Sequence, residues 1–252
     1  KVEKEANKIT EKISDTEIKN RLDLRNTCTF TIDPKDAKDF DDALSVRQLK
    51  GGGWEVGVHI ADVSYYVEPG GIIDKEAAER ATSVYLVDRV IPMLPEVLSN
   101  NVCSLRPTVD RLAYSVLFEM DEKATLLDYS IHKTIIHSNV RFTYESAQEV
   151  IDGKKGKFVA ELLLLDKLSK ILRKKRQENG SINFESSEVK FILDKNDRPV
   201  DVYFKENLQT NHLIEEFMLL ANKTIAKHVG SPKKGVKNFV YRVHETPDVN
   251  KI

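Results

Sequence analysis

The chain has little of several things, and each shortage excludes a class of protein. Two cysteines in 252 residues, Cys28 and Cys103, cannot make a disulfide framework. They read as buried thiols of a cytosolic chain. No run of about 18 apolar residues occurs, so no helix is offered to a membrane. The first residues, KVEKEANKITEKISD, lack the apolar stretch of a secretory signal. The formal net charge is −1, so no overall basicity announces nucleic acid. A local basic channel balanced by an acidic site is compatible with that total. There is no phosphate-binding Walker loop, no GxSxG, no HExxH and no zinc-spaced Cys/His set. Serine or cysteine nucleophilic catalysis therefore has nothing to stand on.

What is present is acid in one place. Thr31 to Ala43, TIDPKDAKDFDDA, gathers Asp33, Asp36, Asp39, Asp41 and Asp42 around a single proline. Each ionised carboxylate raises the pKa of its neighbours, so such a cluster either faces water or collects a cation. All-oxygen donors select a hard cation, Mg²⁺ or Mn²⁺, over zinc. Phe30, Ile32, Phe40, Ala43, Leu44 and Val46 interleave with the acids, which predicts strand, turn, strand with carboxylates at a buried edge. An EF-hand is poorly matched, lacking the turn glycine and the closing glutamate. A DxD-type nucleotide-sugar site at Asp39-Phe40-Asp41 is a further reading.

Residues 1–23 read as a charged N-terminal helix or linker, with Ile9, Ile13 and Ile18 as a thin apolar stripe. From Thr29 to about Tyr66 the pattern is β, with a turn at Gly51–Gly53 and period-two alternation over Trp54–Ile60. A helix is predicted near Asp74–Thr82, extended chain at Ser83–Leu86, and strands over Arg111–Met120 and Ser130–His137. Helices follow at Tyr144–Ile151, from Phe158 to Gly180, and around Ile214–Ile225, ending near Gly230. Val189–Leu193 and Val200–Phe204 flank a hairpin turn, and Phe239–Val243 reads as a short strand. Pro247 looks like the first turn of a helix. With no repeat or convincing linker, the fold class is α+β, a mixed sheet packed by helices. The basic run Lys167, Lys170, Arg173, Lys174, Lys175 and Arg176 reads first as a solvated helix face and second as a phosphate path.

The acid segment does not stand alone. Arg21-Leu22-Asp23-Leu24-Arg25 precedes it, and HIADVSYYVEPGG (59–71), ATSVYLVDRVIPMLPEVLSNNVCSLRP (81–107), SINFESSE (181–188) and LIEEFMLLAN (213–222) follow. Together these closely resemble the catalytic RNB domain of the ribonuclease II/ribonuclease R family, the ribonuclease R branch in particular. The resemblance runs from about Arg21 to the C-terminus. It implies residues 24–252 as the N-terminal part of an RNB-type domain, with the fold incomplete at the C-terminus.

What the resemblance further implies is a processive, Mg²⁺-dependent (Mn²⁺ as the alternative) 3′→5′ hydrolytic exoribonuclease. It would act on the 3′ end of single-stranded RNA and release nucleoside 5′-monophosphates. The family's four aspartates match Asp33, Asp39, Asp41 and Asp42, while Asp36 falls at a variable position. Asp33, Asp39 and Asp42 become the implied metal ligands, and Asp41 the residue whose loss stops chemistry with least effect on binding. Tyr85 and Phe184 match stacking residues, and Tyr144 and Glu215 match contacts to the terminal ribose, with Glu216 adjacent in register. No small organic cofactor and no membrane partner are implied, and the expected location is cytoplasmic. The family's cold-shock-like and S1 domains, and its TSPxRRYxD-like arginine segment, lie outside these 252 residues, so little or no activity is expected of the chain alone. An RNA-binding module that keeps the fold without turnover is the alternative.

Overall fold

A computed structural model describes residues 1–181, 188–196, 198–231 and 238–241. The chain opens with two short helices, α1 (Val2–Ala6) and α2 (Asp15–Lys19), and reaches strands β1 (Leu22–Asp23), β2 (Thr29–Asp33), β3 (Asp42–Gln48) and β4 (Trp54–Ala61). Helices α3 (Val63–Tyr66) and α4 (Ile72–Arg80) lead to a small hairpin, β5 (Val84–Tyr85) and β6 (Val90–Ile91). A wide π-type turn at Leu98–Val102 precedes β7 (Asp110–Met120), β8 (Leu126–His137) and β9 (Val140–Thr143). Then come α5 (Tyr144–Ile151), α6 (Val159–Glu178), the hairpin β10 (Glu188–Leu193) and β11 (Pro199–Lys205), and α7 (Gln209–Val229).

Seven strands form one mixed sheet in the order β1-β8-β7-β4-β3-β2-β9. Its centre is antiparallel, while β1 joins β8 and β9 joins β2 in parallel. Strand parity decides which core each side chain enters. Phe30, Ile32, Leu44, Val46, Val56, Val58, Val116 and Phe118 face α5, α6 and α7 and meet Leu162, Leu165, Leu168, Leu213 and Phe217. Ala43, Ala61, Ala113 and Leu117, of opposite parity, face a second cluster with Leu98, Val102, Cys103, Leu105 and Ala6. Each large side chain wholly buried in these clusters stabilises the fold by roughly 1.5–3 kcal/mol. The tight β3–β4 connection needs glycine: Gly53 has φ +79, and a Cβ there would lie 2.6 Å from the Met120 carbonyl oxygen.

The predicted sheet-and-helix class holds, and most elements hold within a few residues. Several differ. The β pattern read as far as Tyr66 ends at Ala61, and Val63–Tyr66 forms helix α3. Strand β8 begins at Leu126, before the predicted Ser130. Residues 1–23 do not form one helix. The thin stripe is too weak to bury a helix face, Ser14 caps α2 by accepting from the Glu17 amide at 3.2 Å, and Leu22–Asp23 join the sheet. The strands β6 and β9, too short to show a period, were not predicted. Phe239–Tyr241 is irregular rather than a strand, for no neighbouring strand pairs with it among the described residues. Val243, Pro247 and Phe184 lie outside the described residues. Both cysteines are free, with Cys103 buried and Cys28 half-buried, and burial pushes their thiols up to about 12 and about 11. Among the described residues no helix is long and apolar enough to cross a membrane.

Candidate active site

The acid segment is a loop between adjacent strand ends. Asp33 closes β2, Asp42 opens β3, and Pro34–Asp41 connects them. A turn from the Ala37 amide to the Pro34 carbonyl (3.1 Å) starts the connection. Its far limb is held from two sides. The Leu105 amide donates to the Phe40 carbonyl at 2.8 Å, and the Ala61 amide donates to the Asp41 carbonyl at 2.9 Å. The Ser104 hydroxyl accepts from the Phe40 amide at 2.9 Å and donates to the Lys38 carbonyl at 3.2 Å. Arg141 on β9 completes the frame. Its guanidinium donates to the Pro34 and Lys35 carbonyls and lies 5.4 Å from the Phe40 ring centre.

The electrostatics show that the acids share one field. Burial pushes the Asp33 carboxyl up to about 7; Thr31 and Arg141 oppose this, while the charges on Asp42 and Asp41 add to it. Burial and then Asp41 push Asp42 up to about 6, and burial and then Asp39 raise Asp41. Asp33 is 7% exposed, and its Oδ2 has no hydrogen-bond partner. A buried carboxylate oxygen without a donor is costly unless it is protonated or meets a cation. Among the described residues no group of three or more His, Cys, Asp or Glu is gathered closely enough to form a ready metal cage. The donor chemistry nevertheless fits a hard cation: all-oxygen, mutually repelling, with one buried carboxylate oxygen of Asp33 left without a donor.

Two of the predicted aromatic residues, Tyr144 and Tyr85, enter the same field. Asp33 pairs with Thr143 across β2 and β9, and Thr143 caps α5, so Tyr144 follows directly beside the acids. Burial pushes the Tyr144 phenol up to about 12, with the charges of Asp42 and Asp33 contributing. Tyr85 stands on the β5–β6 hairpin, 69% exposed, and its phenol is raised by burial of its inner edge and by Asp39 and Asp41. The two tyrosines thus feel different acids, Tyr144 the charges of Asp33 and Asp42 and Tyr85 those of Asp39 and Asp41.

Glu215 and Glu216 separate cleanly. Glu216 is buried and accepts from Arg176 Nη2 at 2.6 Å and Nε at 3.0 Å. Glu215 is half-exposed, 3.3 Å from Arg176 and 3.4 Å from His212. Arg176 also donates to the Ser181 hydroxyl at 2.6 Å, where the segment bearing Phe184 begins. Part of the basic run on α6 is thereby structural: Arg176 turns inward, Lys170 pairs with Asp166, and Lys175 binds the Lys123 and Ala124 carbonyls. Sequence reasoning missed Ser104 and Arg141, and Arg176, read as part of a solvated face or phosphate path, is instead tied to buried Glu216. Ser104 carries no local signal, since its partners lie 64 and 66 residues away. Arg141 carries none either, since β9 is too short to show a period and its loop partners lie 107 and 106 residues away.

Comparison with known proteins agrees with this architecture. The RNB domain family pattern matches residues 21–252. Ribonuclease R 1 of Lactococcus lactis is 39% identical over 257 residues, covering 98% of this chain and 31% of that protein. Ribonuclease R of Thermotoga maritima is 43% identical over 254 residues, covering 97% and 35%. The solved structure of Mycoplasma genitalium RNase R in complex with ribose methylated single-stranded RNA matches with a TM-score of 0.86. It is 30% identical, over 92% of this chain and 37% of that one. This chain belongs to the RNB domain family, whose nucleases are metal-dependent hydrolases. It spans about a third of the length of the curated relatives it matches.

Proposed function

We propose that the chain is the N-terminal part of the catalytic domain of a 3′→5′ exoribonuclease. In this reading residues 24–252 belong to that domain and residues 1–23 lead into it. The enzyme hydrolyses single-stranded RNA processively from its 3′ end and releases nucleoside 5′-monophosphates. The observation that carries the reading is the shared field of Asp33, Asp39, Asp41 and Asp42, which reaches both Tyr85 and Tyr144. A cytoplasmic location accords with two free cysteines.

Asp33, Asp39 and Asp42 would hold Mg²⁺, with Mn²⁺ as the alternative. Bound there, divalent cations lower the pKa of water and stabilise charge on the leaving oxygen. The chain's own residues do the rest. Asp41, at the loop end, faces the reacting phosphate and orients the attacking water. Tyr85 offers a ring on which a base stacks without regard to sequence, a contact worth about 1–3 kcal/mol per base; Phe184, outside the described residues, is assigned the same role. Tyr144 and Glu215 read the terminal ribose, whose 2′-hydroxyl separates RNA from DNA. Glu216 is committed to Arg176, which leaves Glu215 as the available carboxylate. An RNA-binding module without turnover is the weaker reading, because all four aspartates are present.

The test places the chain in its full-length context and supplies single-stranded RNA and the matching DNA with and without Mg²⁺. Mononucleotide release from RNA alone, only with Mg²⁺, is the expected result. RNA binding with no release under any metal would overturn the enzyme reading in favour of the module.

A further inference from the structure

The Ser104 side chain is fully buried, on a segment distant in sequence from the acids, yet its hydroxyl touches the acid loop on both sides of one aspartate. It accepts from the amide of Phe40, which follows Asp39, and donates to the carbonyl of Lys38, which precedes it. One hydroxyl hydrogen and one lone pair satisfy both contacts with no conflict of roles. The Ser104 backbone is itself fixed, because Arg111 Nε donates to its carbonyl at 3.0 Å. The next amide, Leu105, holds the Phe40 carbonyl at 2.8 Å. The peptide units around Asp39 are therefore set by Ser104 and its neighbour.

We infer that Ser104 is a positioning residue that fixes the Asp39 carboxylate for cation binding. The inference rests on the metal reading proposed above. Asp39 lies in a loop without strand partners, so its direction is not given by the sheet, unlike those of Asp33 and Asp42. Without the hydroxyl, Lys38–Phe40 gain backbone freedom and the Asp39 oxygen samples positions away from the cation. A positioned ligand that must be re-ordered on binding costs affinity.

Ser104→Ala in the full chain tests this, with Ser115→Ala as control. Ser115 is equally buried, and its hydroxyl lies 2.6 Å from both His59 Nδ1 and Thr134 Oγ1, away from the loop. Two quantities are measured: hydrogen exchange of the Phe40 amide without metal, and Mn²⁺ affinity by calorimetry. The expected result for Ser104→Ala is faster Phe40 exchange and at least tenfold weaker Mn²⁺ binding, with Ser115→Ala keeping wild-type affinity despite a similar loss of Tm. Unchanged Phe40 exchange overturns the positioning role. So does faster exchange with unchanged affinity, or an equal affinity loss in both variants. If the wild-type chain itself binds no Mn²⁺, the metal reading falls and this inference falls with it. Should Ser104→Ala not fold, Ser104→Cys fills the same space with a weaker hydrogen-bonding group and is read the same way.

Discussion

Arg176 and Glu216 join α6 to α7 through a guanidinium–carboxylate contact of 2.6 Å, with the Glu216 side chain 3% exposed. Glu215, one residue earlier, touches the same guanidinium only at 3.3 Å and is 48% exposed. Neighbours on one helix point about 100° apart, so one carboxylate braces the helices and the other faces out.

Removing one partner of a buried ion pair leaves the other uncompensated, at a cost of about 3–5 kcal/mol. Glu216→Ala therefore lowers unfolding free energy by about that much in urea melts. Glu215→Ala changes stability by no more than about 0.5 kcal/mol, as surface substitutions do. The ribose assignment predicts that Glu215→Ala, not Glu216→Gln, narrows the affinity gap between RNA and DNA 3′ ends. Equal stability losses would contradict the division of labour.

Asp33 and Asp42 give the metal-free chain an unusual pH profile. Their folded pKa values, about 7 and about 6, lie above the unfolded range near 4, so the folded state binds more protons between those limits. Their stabilising contribution is complete below about pH 4 and lost as pH rises through 6 to 7. Buried His59, held down to about 3, acts in the opposite sense, stabilising above pH 6.5 and losing this as pH falls. Comparison with Asp33→Asn isolates the carboxylate effect. Wild type is expected to lose a few kcal/mol more than Asp33→Asn between pH 5 and pH 8, in thermal melts with a chelator present. Mn²⁺ at pH 8 restores wild type alone.

Tyr85 carries no fold energy worth measuring, since its ring is 69% exposed on a two-residue strand. Tyr85→Ala is expected to leave Tm unchanged and to weaken single-stranded RNA binding by about 1–3 kcal/mol, read by fluorescence anisotropy. An undiminished affinity would remove it from the proposed clamp.

Phe217 tests the fold rather than the site. It is fully buried between α7 and the sheet, and Phe217→Ala is expected to cost about 3–5 kcal/mol by denaturant titration. A loss under 1 kcal/mol would mean that α7 is not packed as described.

The long elements were legible in the sequence because their burial is periodic. Val56 and Val58 on β4, and Leu162, Leu165 and Leu168 on α6, announce a strand and a helix by spacing alone. The acid loop was legible as composition, and Tyr85, Tyr144 and Glu215 came from motif resemblance. The rest depends on contacts with no local signature. Leu22–Asp23 is a strand only because β8 lies beside it. Arg21 is buried against Asp62 at 2.7 Å, 41 residues on, and nothing near either residue predicts the other. Ser104 and Arg141 reach the loop from segments at least 64 and 106 residues further along the chain, and their roles exist only once those segments have folded back.

The most direct measurement of the central claim is single-turnover decay of a 3′-labelled RNA by the chain in its full-length context, as wild type and as Asp41→Asn. The account predicts Mg²⁺-dependent mononucleotide release by wild type, a loss of about 100- to 1,000-fold in Asp41→Asn, the scale of removing one group that stabilises transition-state charge, and RNA affinity within a few-fold of wild type. Equal decay by both proteins, or loss of binding in step with loss of decay, would contradict it.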